Sequence, residues 1–315
     1  MAHLIGIDKY KKDRLVQNSE EKLTLFMAYD KPPCFAAFWC NKHCTFKENG
    51  HIFNFLKEIK SNKTVSLHYT DGIGDTTLED PLIQTPDNKY IMLLQSTRLT
   101  EESKKIIKNK LLCIPLDDDI FMMGLKSFLQ MECGKAYDIP WEEKLPIVFY
   151  RGTPIYGSRR RPVVQILYGN PKTDARYVKT PWTENDYYQK NKNLYDNRFD
   201  GSNPQPVTLA DHMKYKYIIC IGGVIIGSMF NWVFGSGSVP LLVTHPNDHW
   251  WFKPFIEPNV HYMPIKWNLS NLELTIDFLI KNDEYAKNIA TNCRLMSEKV
   301  FSPEFQRQYL VDNLQ

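Results

Sequence analysis

Strong charge of either sign is missing from this chain. Its Lys and Arg outnumber Asp and Glu by only 39 to 36 over 315 residues, a formal net charge of +3. That excess is too small and too dispersed to suggest a nucleic-acid surface. No apolar h-region follows Met1, and the chain closes on "VDNLQ" without a retention tetrapeptide; both absences lead us to expect a cytosolic protein with no secretory signal. The seven cysteines are an odd number in no regular framework spacing, as expected of reduced thiols. Internal repeats are also lacking.

Long uncharged runs are scarce, and the one exception is instructive. Residues 220–243, "CIGGVIIGSMFNWVFGSGSVPLLV", carry no charge and are long enough to span a bilayer. The run nevertheless holds five glycines, a proline, an asparagine and three serines, which make a poor lipid-facing helix. Read locally, residues 217–221 form an apolar strand, Gly222 and Gly223 a turn, residues 228–234 a short helix, and residues 239–243 a second buried strand. This is a strand-turn-helix-strand unit of an open parallel sheet, whose strands are apolar on both faces. We expect sheet core here and no membrane span.

What is present is the composition of a globular protein, 43% hydrophobic and 24% charged, and strands alternating with helices in both halves, an α/β pattern. Strands are predicted at residues 23–29, 65–69, 90–94, 111–115 and 145–150, with Ile52, Phe55, Leu56 and Ile59 at helical spacing between the first two. Thr100 is predicted to cap a helix that opens on Glu101 and Glu102. The length favours two domains, and Gly134, Pro140 and a charged run mark a boundary. We expect an N-terminal domain at residues 1–140, a second domain at 141–295, and a C-terminal helix at 296–315 that packs back on the first. Ser270 with Glu273 reads as a capping box for a late helix.

In parallel sheets, ligands sit beyond the carboxyl ends of the strands. Three segments meet that condition: "YTDGIGD", "YRGTPIYGSRRRP" and "IGGVIIGS". In the second, Arg151, Gly152 and Thr153 leave a strand, and a guanidinium with backbone N–H groups suits a phosphate oxygen. Arg159, Arg160 and Arg161 precede a helix and are either a solvated loop or part of the same anion site. The helix start near Ser228 is a third contributor. Asp71 is placed to accept a proton from a bound hydroxyl, although Asp71-Gly72 also reads as a turn and Asp75 is an alternative base. The run Asp117, Asp118, Asp119 is a metal pair or, following a proline, a loop or helix cap. Cys34, Cys40, His43 and Cys44 lack the CxxC knuckle of structural zinc. His245, Asp248, His249 and His261 lie in an aromatic segment that either ligates metal or packs, and Trp250 and Trp251 offer a stacking face or core.

The ordered motifs "FYRGT" (149–153) with Arg160 and Pro162, "DHMKYKY" (211–217), "GGV" (222–224), "SGS" (236–238) and "VHYMPIKWNLSNL" (260–272) resemble the CAP10-like glycosyltransferases, family 90, which include protein O-glucosyltransferases. The resemblance covers about residues 145–313. It implies a GT-B fold of two Rossmann-like domains facing a cleft, residues 1–140 on the acceptor side and residues 141–295 holding the nucleotide-sugar donor. It further implies an inverting, metal-independent transfer of a glucose- or xylose-class sugar from a UDP-sugar to a hydroxyl of a glycan or protein. Asp71 takes the place of the family's base, and Arg151, Gly152, Thr153, Arg160, Gly223, Ser228 and Ser238 fall at its donor site. The chain departs from the family pattern where Met229 replaces an arginine facing the diphosphate and Gly222 replaces a charged residue before the shared Gly-Val. Lys214, Lys216 or Arg161 are the substitutes available, with Lys216 the one assigned to the donor; the alternative is a catalytically silent sugar-nucleotide- or glycan-binding homologue.

Overall fold

A computed structural model describes residues 14–19, 22–28, 50–61, 63–68, 90–94, 96–100, 111–115, 117–154, 159–179, 183–196, 207–222 and 229–315. Among them the strands are β1 (Arg14–Ser19), β2 (Lys22–Ala28), β3 (Thr64–His68), β4 (Tyr90–Leu94), β5 (Ser96–Arg98), β6 (Leu111–Cys113), β7 (Leu145–Gly152), β8 (Thr173–Tyr177), β9 (Tyr215–Ile221), β10 (Val239–Val243), β11 (Asp248–Trp250) and β12 (Met263–Ile265). The helices are α1 (His51–Glu58), α2 (Asp118–Met123), α3 (Leu125–Cys133), α4 (Arg160–Leu167), α5 (Asn185–Lys190), α6 (Leu209–His212), α7 (Met229–Trp232), α8 (Leu272–Lys281), α9 (Asp283–Val300) and α10 (Pro303–Leu314).

Contacts divide the chain into two units, one of residues 1–124, 245–254 and 300–315 and the other of residues 125–244 and 255–299. The first holds the sheet β1-β2-β3-β4-β6, in which only the β1–β2 pair is antiparallel. On it, α1 buries Ile52, Phe53 and Leu56 with Leu310 and Leu314 of α10. The excursion through β11 pairs antiparallel with β5. Trp251 and Phe252 pack edge-on or tilted against Phe301 at 5.1 and 4.9 Å, and such aromatic pairs add about 0.5–1.5 kcal/mol each beyond area burial. Trp250 and Trp251 are therefore core in this unit, the packing alternative read from the sequence.

The acidic run resolves the same way. Asp117 caps α2 by accepting from the Ile120 N–H, and Asp118 accepts from Ile52 N–H at 2.9 Å. Asp248 is held by Arg98 at 2.6 Å and accepts from His245 N–H. No group of three or more metal-ligating side chains occurs among the described residues, nor is any described helix long and apolar enough to cross a membrane.

The second unit is built on a wholly parallel sheet of order β12-β10-β9-β7-β8. Every residue of β10 is buried, as are six of the seven in β9, which is why this stretch reads as an uncharged run. The chain crosses from β7 to β8 through α4, whose Val163, Val164 and Leu167 give one apolar face that packs with Tyr150, Val148 and Ala175. Pro162 sits in the first turn of α4, where a missing N–H costs nothing. After Tyr168 closes the helix, Gly169 takes φ of 81°, a left-handed value suited to glycine. One local reading is corrected: α8 begins after Asn271 without a side-chain cap, so Ser270 and Glu273 form no capping box. Asn271 instead ties the preceding turn, accepting from Lys266 N–H and donating to Pro264 O.

Candidate functional site

Register brings the carboxyl ends of the second sheet into one line. Tyr177 pairs with Gly152, Ile221 with Val243, and Val243 with Ile265. Phe149 pairs with Ile218, so three residues further on Gly152 stands level with Ile221. The residues that leave this edge include Thr153, Val178, Gly222, Thr244 and Lys266. Of the residues singled out from sequence, Arg151, Gly152, Thr153 and Arg160 belong to this edge.

Arg151 is fully committed inside the protein. Its Nε donates to Asp196 Oδ2 at 2.6 Å, Nη2 to both Asp174 oxygens at 2.8 and 2.9 Å, and Nη1 to the carbonyls of Tyr150 and Asp174. The guanidinium also lies 4.5 Å from the Phe149 ring centre. With all five donors taken, this side chain holds β7 to β8 and to the segment after Tyr195; a phosphate contact would require breaking one of these bonds. Thr153 follows it, buried.

The three consecutive arginines separate by role. Arg161 donates to Pro154 O at 3.0 Å and to Glu184 at 2.9 Å, with its guanidinium 3.9 Å from the Tyr187 ring centre. Arg159 lies 5.4 Å from the ring of Trp267, a residue leaving the end of β12. Arg160, the first residue of α4 and half-buried, makes no ion pair among the described residues. Its charge instead acts on two buried groups, the Tyr150 phenol and the Cys220 thiol. The cap of α4, Arg159, supplies no side-chain acceptor to the helix start. A cation beside an uncapped helix start, at the carboxyl edge of a parallel sheet, can take an anionic oxygen.

Lys216 and Ser238 lie at the opposite edge. Lys216 is the second residue of β9 and Ser238 immediately precedes β10, so five residues of strand, roughly 16 Å, separate Lys216 from the carboxyl line. Lys216 donates to Asp283 Oδ1 at 2.7 Å and lies 4.7 Å from the Trp141 ring centre, and Trp141 Nε1 donates to the other Asp283 oxygen. Ser238 donates to Tyr215 O at 2.6 Å and accepts from Lys144, whose ammonium also bonds Met213 O and Ser236 O. Burial, and after it the nearby Arg294, push the Lys144 pKa down to about 8. Lys214 pairs with Asp211 at 2.8 Å. None of the three substitutes named for the missing phosphate cation, Lys214, Lys216 or Arg161, therefore lacks an anionic partner in this structure.

Gly222 is buried at the end of β9 and Met229 opens α7. Asp71, Asp75, Gly223, Ser228 and the cluster Cys34, Cys40, His43 and Cys44 lie outside the described residues, as does the helix expected after Thr100. Sequence reasoning passed over Tyr150, which stood in a strand read as apolar; the Tyr-x-Gly spacing at a strand end was the available signal.

An all-parallel sheet with a helical crossover and a cationic helix start at its carboxyl edge defines the class: an α/β protein, in which ligands sit beyond the carboxyl ends of the strands. The family model for glycosyl transferase family 90 matches residues 123–312, and the chain belongs to that family. Protein O-glucosyltransferase 1 of Bos taurus is 34% identical over 177 residues, covering 54% of this chain and 42% of the bovine protein. O-glucosyltransferase rumi of Drosophila melanogaster is 30% identical over 160 residues, covering 50% of this chain and 36% of the fly protein. The matched segment thus spans less than half the length of either relative. Among solved structures, that of Anabaena HepE in complex with UDP-glucose is similar at a TM-score of 0.48 and 10% identity, over 84% of this chain and 74% of that one.

Proposed function

We propose that this protein is a glycosyltransferase that moves a sugar from a UDP-sugar to a hydroxyl of a glycan or protein, with inversion and without a metal. Membership of family 90 and the names of its relatives support the reaction class. The observation that carries the donor site is Arg160, a cation at the start of α4 that makes no ion pair among the described residues. In the proposed reaction the acceptor hydroxyl attacks the anomeric carbon while the bond from that carbon to the diphosphate breaks. The hydroxyl proton passes to the Asp71 carboxylate, and the negative charge of the leaving diphosphate is taken by Arg160 and the N–H groups at the α4 start. A positioned base supplies about 10² to 10⁴ in rate.

The test is a screen of the purified protein against nucleotide sugars with EDTA, following thermal stabilisation and release of nucleoside diphosphate. EDTA-insensitive release from one donor supports the reading and names the sugar; dependence on a divalent ion would overturn the metal-free part. Asp71→Asn should keep donor binding and lose transfer. A second reading, a silent sugar-nucleotide-binding homologue, is favoured by Gly222 and Met229 at positions where the family resemblance expects charge and by the internal commitment of Arg151. It requires donor stabilisation with no transfer to any acceptor.

A further inference from the structure

The phenol oxygen of Tyr150 is a polar atom for which neither the fold nor the proposed reaction has yet given a use. Tyr150 is 1% exposed, and its oxygen has no hydrogen-bond partner among the described residues. Buried hydroxyls are nearly always bonded, because leaving one without a partner forfeits its hydration for nothing.

Its direction follows from the strand. Tyr150 and Gly152 are two residues apart on β7 and share a face. A Cβ added to Gly152 would collide with the Tyr150 phenol oxygen and ring. The side chain therefore runs along β7 toward the carboxyl edge and fills the space that glycine leaves open. Arg160 exerts its charge on that phenol, and the apolar face of α4 packs in the same buried cluster as Tyr150. The unbonded hydroxyl, beside Gly152, and the start of α4, which carries Arg160, thus both belong to the carboxyl end of β7.

We propose that Tyr150 is a donor-binding residue whose O–H donates to the phosphate oxygen held by Arg160. The inference rests on the reading of this edge as the nucleotide-sugar site. Burial pushes the phenol's pKa up against the pull of Arg160, so the group stays protonated, and therefore a donor, throughout the physiological range. A hydrogen bond from a neutral O–H to a charged oxygen is short and stronger than a neutral pair. Gly152 acquires a specific role as well, since any larger residue would displace the phenol from this position.

Calorimetric titration of the full chain with UDP, inorganic pyrophosphate and uridine tests the assignment, using wild type, Tyr150→Phe and Arg160→Gln. Tyr150→Phe should weaken UDP and pyrophosphate about tenfold, leave uridine unchanged, and leave the unfolding temperature of the ligand-free chain unchanged or raised. Wild-type UDP affinity in Tyr150→Phe, beside a loss in Arg160→Gln, would overturn the role of Tyr150 while the donor-site reading stands. Equal losses for UDP and uridine would mark a disturbed fold and also overturn it. A wild-type chain that binds neither UDP nor pyrophosphate would remove both the site and the inference.

Discussion

The two edges of the second sheet carry similar residues and treat them in opposite ways. At the amino edge, Lys144, Lys216 and Ser238 each bond groups of their own unit. At the carboxyl edge, Arg160 makes no ion pair among the described residues, and the buried oxygen of Tyr150 makes no hydrogen bond there. Burial of polar groups is costly at both edges, but Lys144, Lys216 and Ser238 are compensated within their own unit, whereas the Tyr150 hydroxyl is not. The contrast teaches that residue type and place in the sequence do not tell a committed side chain from one with unspent hydrogen-bonding capacity. Arg151 shows this most sharply, because it lies at the carboxyl edge and still belongs with the partnered group.

The largest expected effect therefore comes from Arg151, and it is on stability. Its side chain is 3% exposed and holds Asp196, whose side chain is 8% exposed. Arg151→Ala removes the buried guanidinium that bonds both Asp174 and Asp196 and should cost about 3–5 kcal/mol of unfolding free energy in urea. Retention of wild-type stability together with loss of UDP affinity would reverse the assignment and make Arg151 a donor ligand. Arg160→Gln should behave in the opposite sense. Transfer should fall by about 10² to 10³, with the urea midpoint unchanged, as measured by nucleoside diphosphate release at saturating acceptor. A shifted midpoint with normal turnover would place Arg160 among the structural arginines and erase the contrast between the edges.

Much of the architecture was legible because its causes are local. The uncharged run resolved into β9, α7 and β10 since strands buried on both faces must be apolar, and Ser236 and Gly237 mark the turn before β10. The α4 helix was legible from Val163, Val164 and Leu167 beside Pro162. Lys216 and Ser238 were not separable from the glycine-rich turn, because ordered motifs fix a residue's place in the chain and not which end of a strand it occupies. Five residues of β9 carry it from one edge to the other. The commitments of Arg151 to Asp174 and Asp196 depend on partners 23 and 45 positions away, a separation at which no sequence periodicity operates. The capping box expected at Ser270 failed for a different reason: Asn271 offered both an acceptor and a donor to the preceding turn.

Lys144 gives the amino edge a measurable pH signature. Its folded pKa of about 8 lies below the usual lysine value of 10.5, so the folded chain bears the full penalty of a buried ammonium below about pH 8. Between that pH and 10.5 the unfolded chain binds more protons than the folded one, and stability rises with pH. Comparison with Lys144→Met isolates this contribution from that of the tyrosines, which begin to ionise near pH 10 in the unfolded chain while burial keeps them protonated in the folded one. The wild-type chain should gain about 2 kcal/mol relative to the variant between pH 8 and 10. A flat difference would mean that Met213 O, Ser236 O and Ser238 Oγ solvate the ammonium well enough to hold its pKa near normal.

Ser238→Ala is the smallest test and the one that separates the edges most cleanly. Its hydroxyl donates to Tyr215 O at 2.6 Å and accepts from Lys144 at 3.4 Å, all within the buried amino edge. Removing it leaves the Tyr215 carbonyl and one ammonium proton short of a partner, so unfolding free energy should fall by about 1–2 kcal/mol. UDP affinity should not change, because the residue lies some five strand positions, roughly 16 Å, from the line of Gly152 and Ile221. Urea unfolding and UDP titration on the same preparation read both quantities. A tenfold loss of UDP affinity at constant stability would move the donor site toward the amino ends of β9 and β10, and the unpaired charge of Arg160 would then need another ligand.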